Sequence, residues 1–308
     1  MTSRSPVDLG VTVGALRLAN PVLAASGTFG YGIEFAHIVN LERLGGIVVK
    51  GLSAHPMNGA PAPRLCETTG GMLNAVGLQN VGVRAFVAEK LPALRGCKTN
   101  VIANVFGQTT EEYVEVIRVL EEAEGVAAYE LNISCPNVKQ GGMQYGSNPT
   151  LTAEVVGAAR KAARRPLWVK LSPNVTDIAE IARAAEDAGA DALTVANTYP
   201  GMSVDIRTQQ SRLGNLTGGL SGPAIKPLTL RLVYQCSKAV KIPIIGLGGI
   251  QNPEDVLEYI LVGATATQVG TANFLDPRAS EQIVEGLERL CLKESIIRIN
   301  DLLGKLGE

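Results

Sequence analysis

The feature that most constrains this chain is the recurrence, along its whole length, of short and nearly unbroken apolar runs, each followed in most cases by a segment of helical pattern. The runs lie at 21–26, 46–50, 100–107, 129–134, 167–172, 192–198, 242–248 and 267–271. A strand with one wet face alternates apolar and polar residues, whereas a strand covered on both faces does not, and such strands belong to parallel sheets wrapped in helices. Helix signals sit between the runs. Thr109 and Glu112 have the spacing of a capping box before a helix over 113–124. Asp177 precedes a helix over 178–188 that stops at Gly189, and Asn252 with Pro253 opens one that runs to about Val262. Eight such units predict an α/β chain folded as a (β/α)8 TIM barrel. A doubly wound open sheet is the alternative, and the even period without a halfway break favours the barrel.

The 308 residues, 46% of them hydrophobic, supply core enough for one barrel domain over 1–308. Residues 11–18 read as a short hairpin plugging the barrel bottom. Three connections, about 51–99, 135–150 and 199–220, exceed the usual βα loop and leave C-terminal strand ends, so they are expected to crowd over one mouth.

Several function classes are excluded on composition. Lys and Arg number 28 against 29 Asp and Glu, a net charge of −1, and aromatics make up 4%. Neither a basic surface nor a base-stacking face is implied, so no nucleic acid is expected. The five cysteines are scattered, with no C-x-x-C pair, which argues against a disulfide framework and against an iron–sulfur or zinc site on this chain. Two histidines cannot build a multi-histidine metal site, and no metal is expected. No signal peptide is visible and no apolar run approaches the ~20 residues that span a bilayer. The expectation is a cytoplasmic protein without membrane contact.

Polar residues close several of the apolar runs. Lys50 ends the second, Asn104 the third, Asn132 the fourth, Lys170 the fifth and Asn197 the sixth. Strands disfavour Asn, and a single Asn at a strand end is an ordinary turn former. Five amides and ammoniums converging on one barrel mouth describe a binding site for a ring bearing amides, carbonyls and a carboxylate. The last two runs end in Gly246-Leu-Gly-Gly-Ile250 and Gly270-Thr271. Glycines there, with a helix opening at Asn252, predict the phosphate site that barrels of this type build from their final loops. Cys135 stands directly after the fourth run in a loop rich in Asn, Ser, Lys and Gly. A lone thiol more often merely packs, but this position and these neighbours make it a candidate catalytic group. The segment 74–80, Asn-Ala-Val-Gly-Leu-Gln-Asn, is too polar and Gly-rich for a core helix and reads as a turn or a binding loop.

Taken together, these residues resemble the dihydroorotate dehydrogenases, FMN-dependent barrels of pyrimidine biosynthesis, over nearly the whole chain. The carriers include Asn-Ile-Ser-Cys-Pro-Asn-Val from Asn132, Lys170-Leu-Ser, Asn197-Thr198 and Thr-Gly-Gly-Leu-Ser-Gly-Pro from Thr217. The resemblance implies oxidation of dihydroorotate to orotate on the route to UMP, with Cys135 as the base for the C5 proton and a hydride passing from C6 to flavin N5. An unperturbed thiol ionises near ~8.5, so activity is expected to rise as pH approaches that value. It implies one FMN per chain. Lys170 is expected beside the flavin N1/O2 edge, stabilising the reduced ring, and Lys50 between flavin and substrate. Ser26, Gly51, Asn104, Asn132, Ala196 and Gly222 complete the implied flavin contacts, with Gly248, Gly249, Gly270 and Thr271 at the phosphate. Asn74, Ala75, Val76, Gly77, Leu78, Asn132, Asn197 and Thr198 are the implied substrate contacts.

A cysteine at position 135 resembles the class 1 enzymes, and the wording around Asn137 and Ser221 resembles class 1B. That implies a homodimeric core joined in a heterotetramer to a second protein carrying FAD and a 2Fe–2S cluster, with NAD as acceptor. Class 1A, which uses fumarate, is the near alternative. A Schiff-base phosphosugar aldolase, with Lys50 or Lys170 as nucleophile, would also suit the phosphate loops but leaves Cys135 and the asparagines without a task.

Overall fold

A computed structural model describes residues 7–134 and 145–307. Eight parallel strands close into a barrel: β1 (Val22–Ala24), β2 (Gly46–Val48), β3 (Val101–Val105), β4 (Ala128–Asn132), β5 (Leu167–Lys170), β6 (Ala192–Val195), β7 (Ile244–Leu247) and β8 (Ala264–Val269). Each pairs with its neighbours in chain order and β8 returns to β1, with Thr267 opposite Val22 and Val269 opposite Ala24. The continuous apolar runs are explained by this closure: every residue of β1 to β6 is buried, because side chains facing outward meet helices and those facing inward meet one another. The expected (β/α)8 barrel is the fold observed.

The outer helices follow the strands and bury one stripe each. Thr110–Glu121 turns Tyr113, Val116, Ile117 and Leu120 inward, the i, i+3, i+4, i+7 spacing of a single helical face. Burial of each such side chain contributes roughly 1.5–3 kcal/mol, so an acidic residue at Ile117 would open this seam. The helix starts three residues earlier than its apolar pattern suggests, because the Thr109 hydroxyl accepts from the Glu112 N–H at 3.4 Å. The Glu112 carboxylate turns back to the N–H of Gln108 at 2.7 Å rather than to that of the cap residue.

Several strands are shorter than their apolar runs. β2 stops at Val48 and β6 at Val195, which leaves Lys50, Asn197 and Thr198 beyond the ladder, in the mouth. At the opposite end, Val11–Val13 and Leu16–Leu18 form an antiparallel hairpin. Asn100, just before β3, donates to Arg17 O at 3.3 Å, and Gly14 lies against Asp191 just before β6, so the hairpin sits under the N-terminal ends of the strands.

The two long insertions within the described residues are not simple loops. Leu65–Thr68 and Gly71–Asn74 from the first join Tyr199–Gly201 and Gly218–Ser221 from the second in one antiparallel sheet. Its centre pairs Asn74 with Gly219 and Leu73 with Leu220. Residues far apart in the chain thus make a common lid over the barrel's C-terminal end.

Candidate active site

Between barrel mouth and lid lies a cavity of about 450 Å³. Its floor is the end of the barrel. Asn104 (β3) and Lys170 (β5) are buried there, 0% and 5% exposed, and Asn132 ends β4 beside them. The Lys170 ammonium donates to Ser26 Oγ, beyond β1, at 3.3 Å and stands 4.0 Å from Glu130 Oε1. A cation from one side of the barrel thereby reaches across the mouth to the other.

Beyond β4 and β6 the polar groups form a small web. Asn197 Nδ2 donates to Ser134 Oγ at 2.9 Å and to Asn132 Oδ1 at 3.4 Å, and Ser134 Oγ donates to Asn132 Oδ1 at 3.2 Å. The Tyr113 hydroxyl holds the Asn132 carbonyl at 2.8 Å, so an outer helix steadies the inner site. The Thr198 N–H donates to Asn197 Oδ1 at 2.8 Å, which settles the orientation of that amide. Each asparagine is therefore aimed by its neighbours before any ligand arrives. Cys135, the next residue after this web, lies outside the described residues.

The lid supplies the opposite wall. Asn74 Nδ2 donates to Gly219 O at 3.1 Å, and Asn74, Val76, Gly77 and Leu78 line the cavity. Ala75 does not. Alternation along the strand sends it to the far face, where it packs with Leu73 and Leu213, and its N–H donates to Arg64 O. Lys50 sits half-buried at the rim, where burial and the nearby Arg64 charge push its ammonium below the ordinary lysine range. Arg64, which the sequence reading missed, ties down the loop below the lid by donating to the carbonyls of Ala60 and Asn58 and to Gln79.

The third wall is glycine. Gly222, Gly248 and Gly249 line the cavity with φ of 101°, 156° and 70°, values that side chains resist. A Cβ on Gly249 would come within 2.9 Å of the Gly222 carbonyl. Gly270 and Thr271 close this end, the Thr271 hydroxyl bonded to that of Ser221 at 2.8 Å. The helix Pro253–Leu261 opens with a capping box: the Asp255 N–H donates to Asn252 Oδ1 at 2.9 Å, and Asp255 Oδ2 accepts from Asn252 N at 3.2 Å and from Gln251 N, just ahead of the helix, at 2.7 Å. The capping carboxylate is itself held by Lys226 at 2.6 Å. Ser26, Gly51 and Ala196 also face the cavity.

Fold and cavity together define a barrel enzyme whose mouth joins an amide-lined floor to a wall of glycines. The family model described as Dihydroorotate dehydrogenase matches residues 8–291, and the chain belongs to that family of FMN-dependent oxidoreductases. It is 57% identical to a putative dihydroorotate dehydrogenase A (fumarate) of Solibacter usitatus, over 97% of this chain and 98% of that one. It is 54% identical to the dihydroorotate dehydrogenase B (NAD(+)) catalytic subunit of Pelobacter propionicus and 55% identical to that of Geobacter metallireducens, with the same coverage. Among solved structures, dihydroorotate dehydrogenase from Eimeria tenella in complex with ferulenol superposes with a TM-score of 0.83 over 99% of this chain and 90% of that one. At 21% identity it is a likeness of fold.

The residues present suit FMN on structural grounds. Asn104, which lines the cavity, has its Oδ1 buried with no hydrogen-bond partner, an acceptor left over for a bound group. Lys170 offers a buried cation, and Gly222, Gly248 and Gly249, where a Cβ would collide with Gly71, Thr229 and Lys226, leave bare backbone along the cavity wall. Among the described residues no group of three or more His, Cys, Asp or Glu could hold a metal ion, and no helix is long and apolar enough to cross a membrane.

Proposed function

We propose that this chain oxidises (S)-dihydroorotate to orotate, with FMN in the cavity and Cys135 as the base. The observation that carries the reading is the convergence of Lys50, Asn104, Asn132, Lys170 and Asn197 on one cavity whose far end is a glycine cradle. Bound FMN supplies a hydride acceptor. The protein's own groups do the rest. The glycines and Thr271 hold the phosphate, while Asn104, Asn132 and Lys170 face the ring, the lysine opposing the negative charge that reduction brings. Lys50, Asn74, Asn197 and Thr198 hold the substrate's carboxylate, carbonyls and N–H groups. Asn132, Ser134 and Asn197 fix the end of β4, directly ahead in the chain of Cys135, the base for the C5 proton. The lid keeps water from the reacting face.

After the oxidative half-reaction the electrons must leave through another molecule. The relatives from Pelobacter and Geobacter are named NAD(+)-linked catalytic subunits, which supports a chain that hands its electrons to a partner subunit and on to NAD; the resemblance extends this proposal to a cytoplasmic dimer joined in a heterotetramer to a protein with FAD and a 2Fe–2S cluster. The Solibacter relative, named A and at similar identity, favours the second reading, reoxidation by fumarate.

Anaerobic mixing of the purified chain with dihydroorotate tests the first half. Rapid loss of the visible flavin absorbance is expected, and Cys135→Ala should slow it by roughly 10²–10⁴-fold. A wild-type spectrum unchanged by dihydroorotate would refute the substrate, and normal reduction of the alanine variant at every pH would refute the base. Fumarate added to the reduced protein alone then separates the two acceptors.

A further inference from the structure

Among the described residues, the barrel strands contain one carboxylate, that of Glu130 on β4, with no solvent exposure. None of the roles assigned above uses it. Burying a carboxylate carries a large desolvation cost unless its oxygens are fully partnered, and here they are. Asn104 Nδ2 donates to Oε1 at 2.7 Å, while the Thr194 hydroxyl at 2.8 Å and Gln268 Nε2 at 2.5 Å donate to Oε2. The Lys170 ammonium stands 4.0 Å from Oε1. Side chains from β3, β5, β6 and β8 all turn hydrogens toward this residue, and a carboxylate can only accept.

That polarity decides how Asn104 meets the cavity. An amide presents a donor end and an acceptor end. With its amino group drawn to Glu130, the carbonyl end is left over, and Asn104 Oδ1 is indeed buried without a partner. It points toward Gly51, where a Cβ would stand 2.9 Å away, and both residues line the cavity. Turning the amide over would set two oxygens against each other in a dry site.

We propose that Glu130 is a positioning residue: from beneath the cavity floor it fixes Asn104 as an acceptor toward the imide N–H of a bound flavin and anchors Lys170 as the cation beside it. The proposal rests on the flavin-site reading above. Neither task involves contact between Glu130 and the ligand. Its negative charge also offsets that of Lys170, so it sets how strongly the floor favours a reduced, anionic ring.

The test uses the full-length protein, stripped of flavin and titrated with FMN. Wild-type apoprotein that fails to bind FMN would bring down the flavin reading and this proposal with it. Given wild-type binding, Glu130→Gln is expected to weaken FMN about tenfold. In an Asn104→Ala background the same change should cost much less, because the amide that it orients is gone. The redox potential separates positioning from mere structural support. A structural defect weakens both redox states alike and leaves the potential in place, whereas removing the charge beside Lys170 should favour the reduced form by about tenfold, ~30 mV upward for a two-electron couple. An unchanged or lowered potential, or an equal loss of affinity in both backgrounds, overturns the proposal. If Glu130→Gln alone does not fold, the pair Glu130→Gln with Lys170→Met decides. It removes both charges and is expected to fold and melt higher than the single variant, and a pair that is equally unstable overturns the ion pairing.

Discussion

The floor of the cavity and its lid face each other across the same space, yet they are built by different means. The floor consists of side chains, Asn104, Asn132 and Lys170 with Glu130 beneath, projected from parallel strands that are hydrogen-bonded on both edges and buried on both faces. The lid consists largely of backbone, the glycine-rich strands Gly71–Asn74 and Gly218–Ser221, with one polar side chain, Asn74, bonded across them. A floor of this kind holds fixed charge and fixed dipoles, which favours redox chemistry. A lid of this kind allows close approach and selects shape. The two halves should therefore fail differently when damaged.

The largest effect is expected at the floor. Lys170→Met should lower the rate of flavin reduction by dihydroorotate by roughly 10²–10³-fold, in the range of losing one preorganised electrostatic group, with a much smaller change in KM. Stopped-flow reduction of flavin-loaded protein checks this, and full turnover in the methionine variant would remove the lysine from the scheme.

The lid should answer in the opposite sense. A Cβ on Gly219 would collide with the Thr198 hydroxyl and come within 3.4 Å of Asn74 Nδ2, both proposed substrate contacts. Gly219→Ala should raise KM for dihydroorotate about tenfold, the equivalent of ~1.4 kcal/mol, and leave FMN content unchanged. Loss of flavin with KM intact would erase the division between the two halves.

The smallest effect belongs to Lys50, which stands at the junction. Burial and Arg64 lower its folded-state pKa below that of the unfolded chain. The unfolded state therefore holds the proton more tightly between the two values, and stability contributed by this site rises with pH across that window. Below it, the cost of the buried charge is present in full. Lys50→Met should raise Tm by a few degrees at pH 7, with the gain shrinking as pH climbs toward the ordinary lysine value, while KM increases. Thermal melts at several pH values check the sign; a methionine variant that melts lower at pH 7 would show that the lysine stabilises the apoprotein.

What could be read in advance followed from local pattern. The apolar runs specified the strands, and the polar residues closing them marked the mouth, since one such Asn is an ordinary turn former but five amides and ammoniums at successive strand ends are not. The lid strands carry no periodic apolar pattern, and their pairing joins Asn74 to Gly219 across 145 residues of chain. Glu130 was visible as a charge in an apolar strand, two residues before Asn132 and so on the same face of β4. Its task was not visible, because its partners arrive from other strands.

The sequence by itself determined that eight buried strands would alternate with helices and that polar groups would gather at their C-terminal ends. These follow from the periodicity of side chains along a strand or helix, which a linear string contains. Only the tertiary structure decided which amide end faces the cavity, which helix terminus is already occupied by its own carboxylate, and which distant strands form the lid. Those outcomes depend on hydrogen-bond partners that barrel closure brings together, and no spacing along the chain encodes the angle at which they meet.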